Sequence, residues 1–573
     1  MASANPLNLL SLTPWQRLWR LLGAERPLLV RIFIIAAFGG LIGLSLPLGI
    51  QAIINFIQAG RISTSWIVLV SFVLIGIFFS GWLQIRQQWL VELLQQRIFA
   101  KASLEFSLRL PRMLFEELEK KNPAELMNRF FDVLTVQKGL SKLIIDFSTA
   151  LLQIFFGLAL LALYHPIFIL FDIVIVLLVI VLVRLAMRRG LETSIKESTW
   201  KYKVVGWLEE VAVSLESFRM TPRSSLASQQ TNDLTNNYLD ARQGHFRVLI
   251  GHYVALLVFK LLVAAGLLVL GSVLVIENQI GIGQFVAAEI VILLITSSVE
   301  KIILNLESVY DVLTAVEKIG KVTDVRLEEG GAIEDFNTDA PLMDAESLIL
   351  EEGSYRSGIE MEQFEVKEGE RVFVQYHHPF FVRTFIQLLT GRSTDYRGHL
   401  HFRGRAIRSL NFEEYRARVG ELWGRDELFT GSIVDNIIAG RESISRDRVT
   451  RVLKDIGLMQ EVRLLPEAEL TTVLPFSNLV SPLLMKGILL ARNVVDEPDI
   501  LLIDSEQLPS DPIRYKQMLE YLLDPDHPWA VVFFSESKPD TKFFDRYYVH
   551  DENKVYECDA STLGGNQNDS ADA

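Results

Sequence analysis

Residues 369–391 read GERVFVQYHHPFFVRTFIQLLTG. Arg371 to Gln375 is a short apolar run bounded by charge, the pattern of a buried strand, and Thr384 to Leu389 has the composition of a helix start. Between them lies the place where a P-loop, G-x-x-x-x-G-K-[ST], closes backbone N–H groups on phosphate and adds a lysine charge. The outline is there without the chemistry. Tyr376 stands at the first glycine, Phe381 at the second, Val382 at the lysine, and Arg383, just before Thr384, at the metal-binding hydroxyl. Such a loop cannot cradle ATP in the usual way, and its flanks predict an α/β domain around it.

Outward from this stretch the composition changes. Half of the 573 residues are hydrophobic, too apolar for a soluble protein of this size, and nearly all the long apolar runs fall in the first 310 residues. The expectation is a membrane protein with a soluble C-terminal part. A net charge of −13 argues against nucleic acid as a partner. One cysteine, Cys558, excludes an internal disulfide framework and a cysteine metal cluster. Arg17, Arg20, Arg26 and Arg31 precede the first apolar run. That run is too long for a signal-peptide core and lacks a small-residue cleavage site, so it reads as retained.

Six segments, at 31–57, 66–92, 140–164, 166–188, 248–276 and 284–308, are long and apolar enough to cross about 30 Å of hydrocarbon, which takes roughly 20 helical residues. The connections 58–65, Tyr164–His165–Pro166 and 277–283 are short and hold one basic residue, Arg61. The other two are long and basic: Arg97, Lys101, Arg109, Arg112, Lys120, Lys121, Arg129 and Lys138 lie in the first, and Arg188, Arg189, Lys196, Lys201, Lys203, Arg219 and Arg223 in the second. By the positive-inside rule both termini are cytoplasmic, and the long loops predict helices that continue into the cytoplasm. Before the first span, TPWQRLWRLLGAERP places Trp15, Leu18, Leu21 and Leu22 on one helical face and Arg17 and Arg20 toward the other. That suits a helix in the headgroup region, or alternatively the first turn of the spanning helix.

Charges at membrane depth cost on the order of 3 kcal/mol at a helix centre, so they normally face a cavity or a partner. Glu289 sits nearest the middle of a span; Lys260 is the candidate to neutralise it, with Asp172 a further possibility. These residues are expected either to line a translocation path or to form an ion pair between helices.

From about 345 to 558, β-branched runs alternate with amphipathic stretches, and motif-like segments follow in a fixed order. After 369–391 come VGELWGRDELFTGSIVDNIIAG (419–440), VSPLLMKGILLARNVVDEPDILLIDSEQLPSD (480–511) and WAVVFFSES (529–537). This order, behind six spans with long cytoplasmic loops, resembles an ABC exporter half-transporter: six transmembrane helices fused to a nucleotide-binding cassette. The resemblance covers about residues 15 to 558 and lies in scaffold positions. It implies domains at 1–30 (interfacial helix), 31–325 (transmembrane), 326–345 (linker) and 346–560 (degenerate cassette), with a disordered tail at 561–573.

The resemblance also implies where the family's site residues belong. Gly424 stands where a glutamine reaches the metal and attacking water, and the signature L-S-G-G-Q becomes Val480–Ser481–Pro482–Leu483–Leu484. Asp504 matches the Walker B aspartate and is the one candidate ligand for Mg²⁺. Ser505 replaces the catalytic glutamate, Glu536 the switch histidine, and Asp511 matches the D-loop. Glu506 is one residue out of place, which on a strand end turns it to the other face. His377 and His378 read as loop residues. ATP and Mg²⁺ are the family's ligands, but no bound cofactor is expected with these positions replaced. Family members dimerise head to tail, so the implied partners are the lipid membrane, a second half-subunit, identical or not, and accessory export proteins. The expected function is a pseudo-ATPase transporter subunit of the plasma (inner) membrane; the alternative is a non-transporting scaffold or regulator of an export assembly.

Overall fold

The computed structural model describes all residues except 1–11, 59–63, 120–122, 222, 329–330, 332–335, 338, 352–357, 425–426, 475–479, 562 and 564–573. Two compact units result, one of Met1–Met113 and Glu117–Arg326, the other of Leu114–Glu116 and Leu327–Ala573. The expected tail at 561–573 lies outside the described residues except for Ser561 and Leu563, and Leu563 is buried.

In the first unit six helical segments are long and apolar enough to cross a membrane: Arg26–Gln58, Thr64–Arg112, Leu126–Tyr164, Pro166–Val213, Leu226–Ile276 and Ile282–Thr323. Each contains one of the six spans read from sequence. The longest, of 48 to 51 residues, extend to about 75 Å at 1.5 Å per residue, far more than a bilayer needs. Side chains such as Phe72, Phe78, Leu163 and Leu170 are exposed, whereas Val136, Leu161, Ile175, Ile295 and Val299 form the buried core. An apolar outer surface over an apolar core is the arrangement hydrocarbon permits. Polar groups at depth are paired across helices: Gln87 donates to Ser148 (2.9 Å), Ser298 to Gln153 (2.9 Å), Asn305 to Asp146 (2.8 Å) and Tyr164 to Gln51 (2.8 Å).

The expected pairing of Lys260 with Glu289 is corrected. Lys260 Nζ lies 2.7 Å from Glu300 Oε2, and Glu289 is exposed. Register around the hairpin explains the difference. Lys260 lies 16 residues before Ile276 and Glu300 lies 18 after Ile282, so the two are level; Glu289 is only 7 after Ile282, about 14 Å nearer the turn. Asp172 joins neither; it is buried, and its Oδ1 has no hydrogen-bond partner.

The N-terminal helix spans Pro14–Ala24, closed by a capping box in which Thr13 accepts from Gln16 N and Gln16 from Thr13 N. Leu18 is buried and Trp19 exposed, as an interfacial helix requires. Arg17 departs from its expected outward face: it turns into the bundle, with Nη1 2.6 Å from Asp324 and Nε 3.6 Å from Glu317.

The second unit has twelve described strands: β1 (Met343–Leu350), β2 (Ile359–Val366), β3 (Arg371–Gln375), β4 (Arg397–Phe402), β5 (Arg405–Ala406), β6 (Val419–Leu422), β7 (Gly431–Ser432), β8 (Thr472–Val473), β9 (Ile500–Asp504), β10 (Ala530–Ser535), β11 (Arg546–Asp551) and β12 (Lys554–Glu557). Ten form one sheet in the order β5-β4-β1-β2-β12-β11-β3-β10-β9-β6, and β7 pairs with β8. β11, β3, β10, β9 and β6 run parallel to their neighbours in that order, while β2, β1, β4 and β5 form an antiparallel wing. Alternation divides the parallel strands between two cores: Val372, Val374, Leu502 and Val532 point to one, Phe373, Leu501, Ile503 and Val531 to the other, as strands covered on both faces demand.

The Lys260–Glu300 contact generates a test. In reversible detergent unfolding, Lys260→Met and Glu300→Gln should show a coupling energy of about 0.5–1 kcal/mol in a double-mutant cycle. Lys260→Met combined with Glu289→Gln should be additive.

Candidate functional site

The carboxyl ends of β3, β9 and β10 bring the residues of interest together. β3 matches the expected strand, but the helix after it does not begin at Thr384; it spans Pro379–Leu389. The connection is therefore only Tyr376, His377 and His378. Pro379 at the first helical position is pre-set for helix geometry, and His378 Nδ1 caps the turn by accepting from Phe380 N (3.3 Å). Three amides of this segment are already bonded: besides Phe380 N, Tyr376 N donates to Ser535 O (3.2 Å) and Phe381 N to His378 O (2.9 Å). Thr384 Oγ1 donates back to Phe380 O (2.9 Å), within its own helix.

Tyr376 turns into the sheet end, 1% exposed, and its hydroxyl donates to Asp504 Oδ1 (3.2 Å). Glu506 N donates to the same oxygen (3.1 Å), and the Gln507 side chain also bonds Asp504. Burial pushes the Asp504 carboxyl above the usual carboxylate range, and these hydrogen bonds partly offset the effect. Burial, reinforced by the negative charges of Asp504, Glu506 and Glu536, pushes the Tyr376 phenol up, so it remains a donor. Phe381 and Val382 are buried. The Phe381 ring stacks on His550 from β11, with centroids 3.8 Å apart and planes 14° apart.

The remaining sequence-derived positions sit as follows. Gly424 has φ +72°, and a Cβ there would lie 2.9 Å from Gln507 Nε2, so a side chain at this position would collide with the group that bonds Asp504. Ser481 is the N-cap of helix Pro482–Val494, its hydroxyl accepting from Leu484 N (3.2 Å). Asp511 likewise caps Pro512–Leu522 through Ile513 N and Arg514 N. Ser505 and Glu506 form a 3-10 turn with Gln507, and Lys486 Nζ donates to Glu506 O (2.8 Å). Glu536 is exposed, and its carbonyl accepts from Gln375 Nε2 (3.2 Å). The structure thus gathers Tyr376, Phe381, Val382 and Asp504 and adds two residues that sequence reasoning missed, Gln507 and His550. No spacing signal marks His550, which reaches Phe381 only through the β11–β3 pairing.

His550 is 2% exposed, with the Glu552 backbone beside its ring. Burial, with His377 and His378 nearby, pushes it from 6.5 down to about 4. Below pH 6.5 the unfolded chain takes up a proton that the folded one refuses, so stability is complete above pH 6.5 and is lost as pH falls toward about 4. Between pH 6.5 and 5 the loss should reach about 2 kcal/mol. Pulse proteolysis of the α/β unit in the full-length protein checks this: His550→Phe should remove most of the acid sensitivity across that interval.

Residues 29–299 match the ABC transporter transmembrane region family. Among characterised proteins the chain is 21% identical over 305 residues to the lactococcin-A transport/processing ATP-binding protein LcnC of Lactococcus lactis subsp. lactis, over 52% of this chain and 42% of that one. It is 20% identical over 306 residues to the transport/processing ATP-binding protein ComA of Streptococcus pneumoniae, again over 52% and 42%. These matches span less than half the length of either relative. A bacterial Atm1-family ABC exporter with ATP bound superposes with a TM-score of 0.84, covering 94% of this chain and 96% of that one at 15% identity, which shows a shared fold. The six spans, the α/β sheet that follows them and these likenesses together give the chain the fold of an ABC exporter subunit, with residues 29–299 matching that family's transmembrane region.

Proposed function

We propose that the chain is one half of a two-chain exporter, and that its cassette keeps the family's frame while neither binding nor hydrolysing Mg-ATP. The observation that carries this reading is the buried Tyr376–Asp504 hydrogen bond. A phosphate nest needs free amides at the helix start, and here those of Phe380 and Phe381 are bonded to His378. A magnesium ion would need Asp504, whose Oδ1 is held by Tyr376 and Glu506. The residues present do not fit a magnesium nucleotide.

The membrane half supports the exporter part of the reading. Between helices Thr64–Arg109 and Phe131–Tyr164 lies an open groove that carries Gln88, Glu92, Lys138, Lys142 and Asp146, polar groups of the kind a passing solute would meet. The basic loops favour an orientation with both termini cytoplasmic in the plasma (inner) membrane. The partner is a second half-subunit, identical or catalytically competent.

The complex solubilised from native membranes tests this. Its mass should equal two half-subunits, and any ATP turnover should be unchanged by Asp504→Asn. Turnover abolished by that substitution overturns the inactive-cassette reading, and a stable monomer without a second chain overturns the exporter reading in favour of a scaffold. For the orientation, after replacement of Cys558, an impermeant thiol reagent outside the cell should label a cysteine at position 61 and not at 201.

A further inference from the structure

Behind the N-terminal helix Pro14–Ala24 lies a cavity of about 370 Å³, walled by this helix and by the ends of the helices carrying 97–109, 133–136 and 316–324. Its floor is apolar, with Leu21, Ile98, Phe106 and Val136 among the lining residues. Its charges do not cancel. Asp324 is taken by Arg17 (2.6 Å), Glu25 by Arg97 (3.4 Å) and Glu105 by Arg109 (3.0 Å), and Arg109 also donates to Thr323 O (2.7 Å). Arg20 and Lys101 also line the cavity; both are exposed, and neither has an ion pair among the described residues. Two uncommitted cations therefore stand over an apolar floor.

The wall that carries Arg20 is built to lie at a membrane surface. Trp15 and Trp19, one turn apart, are exposed, while Leu18 between them is buried. Exposed tryptophans on an amphipathic helix belong at the level of lipid headgroups. A ligand suited to this place carries a negative phosphate for Arg20 and Lys101 and an aliphatic portion for the floor. We propose that this cavity binds the headgroup of an anionic phospholipid, with the phosphate between Arg20 and Lys101 and the first carbons of an acyl chain against Leu21 and Ile98, on the membrane side of Lys101. The bulk of the chains stays in the bilayer. The proposal needs only the membrane fold and does not depend on the state of the cassette.

The apolar floor separates a lipid from free phosphate, and the test is arranged on that difference. The full-length protein is placed in bilayer discs of mixed phosphatidylglycerol and phosphatidylcholine, and retained lipid is read by native mass spectrometry. Wild type should retain phosphatidylglycerol in preference. The double variant Arg20→Gln/Lys101→Gln should lower that preference about tenfold or more, since each basic group near the surface contributes about fivefold. Arg86→Gln, exposed and outside the cavity, should leave it unchanged. Equal retention by the double variant overturns the proposal, as does complete displacement of the lipid by millimolar glycerol phosphate, which would make the ligand a free phosphate. Should the double variant fail to fold, a headgroup-photoreactive phosphatidylglycerol on wild type decides the matter: labelling of 12–24 and 97–109 sustains the site, and labelling confined to other segments overturns it.

Discussion

Burial of β3, β9 and β10 on both faces fixes where their carboxyl ends emerge, and everything about the site follows from that constraint. With an apolar core on each side, these strands cannot slide or turn without exposing one set of side chains. Parallel pairing then aligns Val374 with Phe534 and Phe534 with Asp504. The residues just beyond the strands, Tyr376, Glu536 and Ser505, are delivered to one edge whatever their chemistry. The frame is thus independent of nucleotide chemistry, and its apolar strands can persist beside a rearranged loop.

The membrane unit obeys a different constraint. Hydrocarbon supplies no hydrogen-bond partners, so each polar side chain at depth must find one on a neighbouring helix. The Gln87–Ser148, Gln153–Ser298 and Asp146–Asn305 contacts tie the helix Phe131–Tyr164 to two others. Such contacts average about 0.6 kcal/mol, so they set register more than they set stability.

How much of this was legible from sequence depended on the range of the signal. Span positions and strand β3 are local, and hydropathy with period-2 alternation marks them directly. Span position pairs Lys260 with Glu289, the acid nearest mid-span, whereas its partner Glu300 follows from counting residues back from the hairpin at 277–281. Arg17 was placed by a helical wheel, but acids some 300 residues later draw it inward. The start at Pro379 had a signal in the His–His–Pro sequence, overridden by expecting a P-loop register. Gln507 reaches Asp504 through the 3-10 turn that follows β9, whereas His550 reaches Phe381 only through the sheet order, which no spacing in the sequence marks.

The three-residue connection between β3 and Pro379 also bears on how this domain can change over generations. The helix Pro379–Leu389 covers the segment where a phosphate nest would lie, and Tyr376 and Phe381 are buried beside it. Replacing either ring by glycine would empty a buried site at a cost of about 3–5 kcal/mol, before any amide was freed to meet a phosphate. Each step toward a phosphate nest would first lower the stability of the fold, so the packing of these two rings sets a barrier that single substitutions would have to cross.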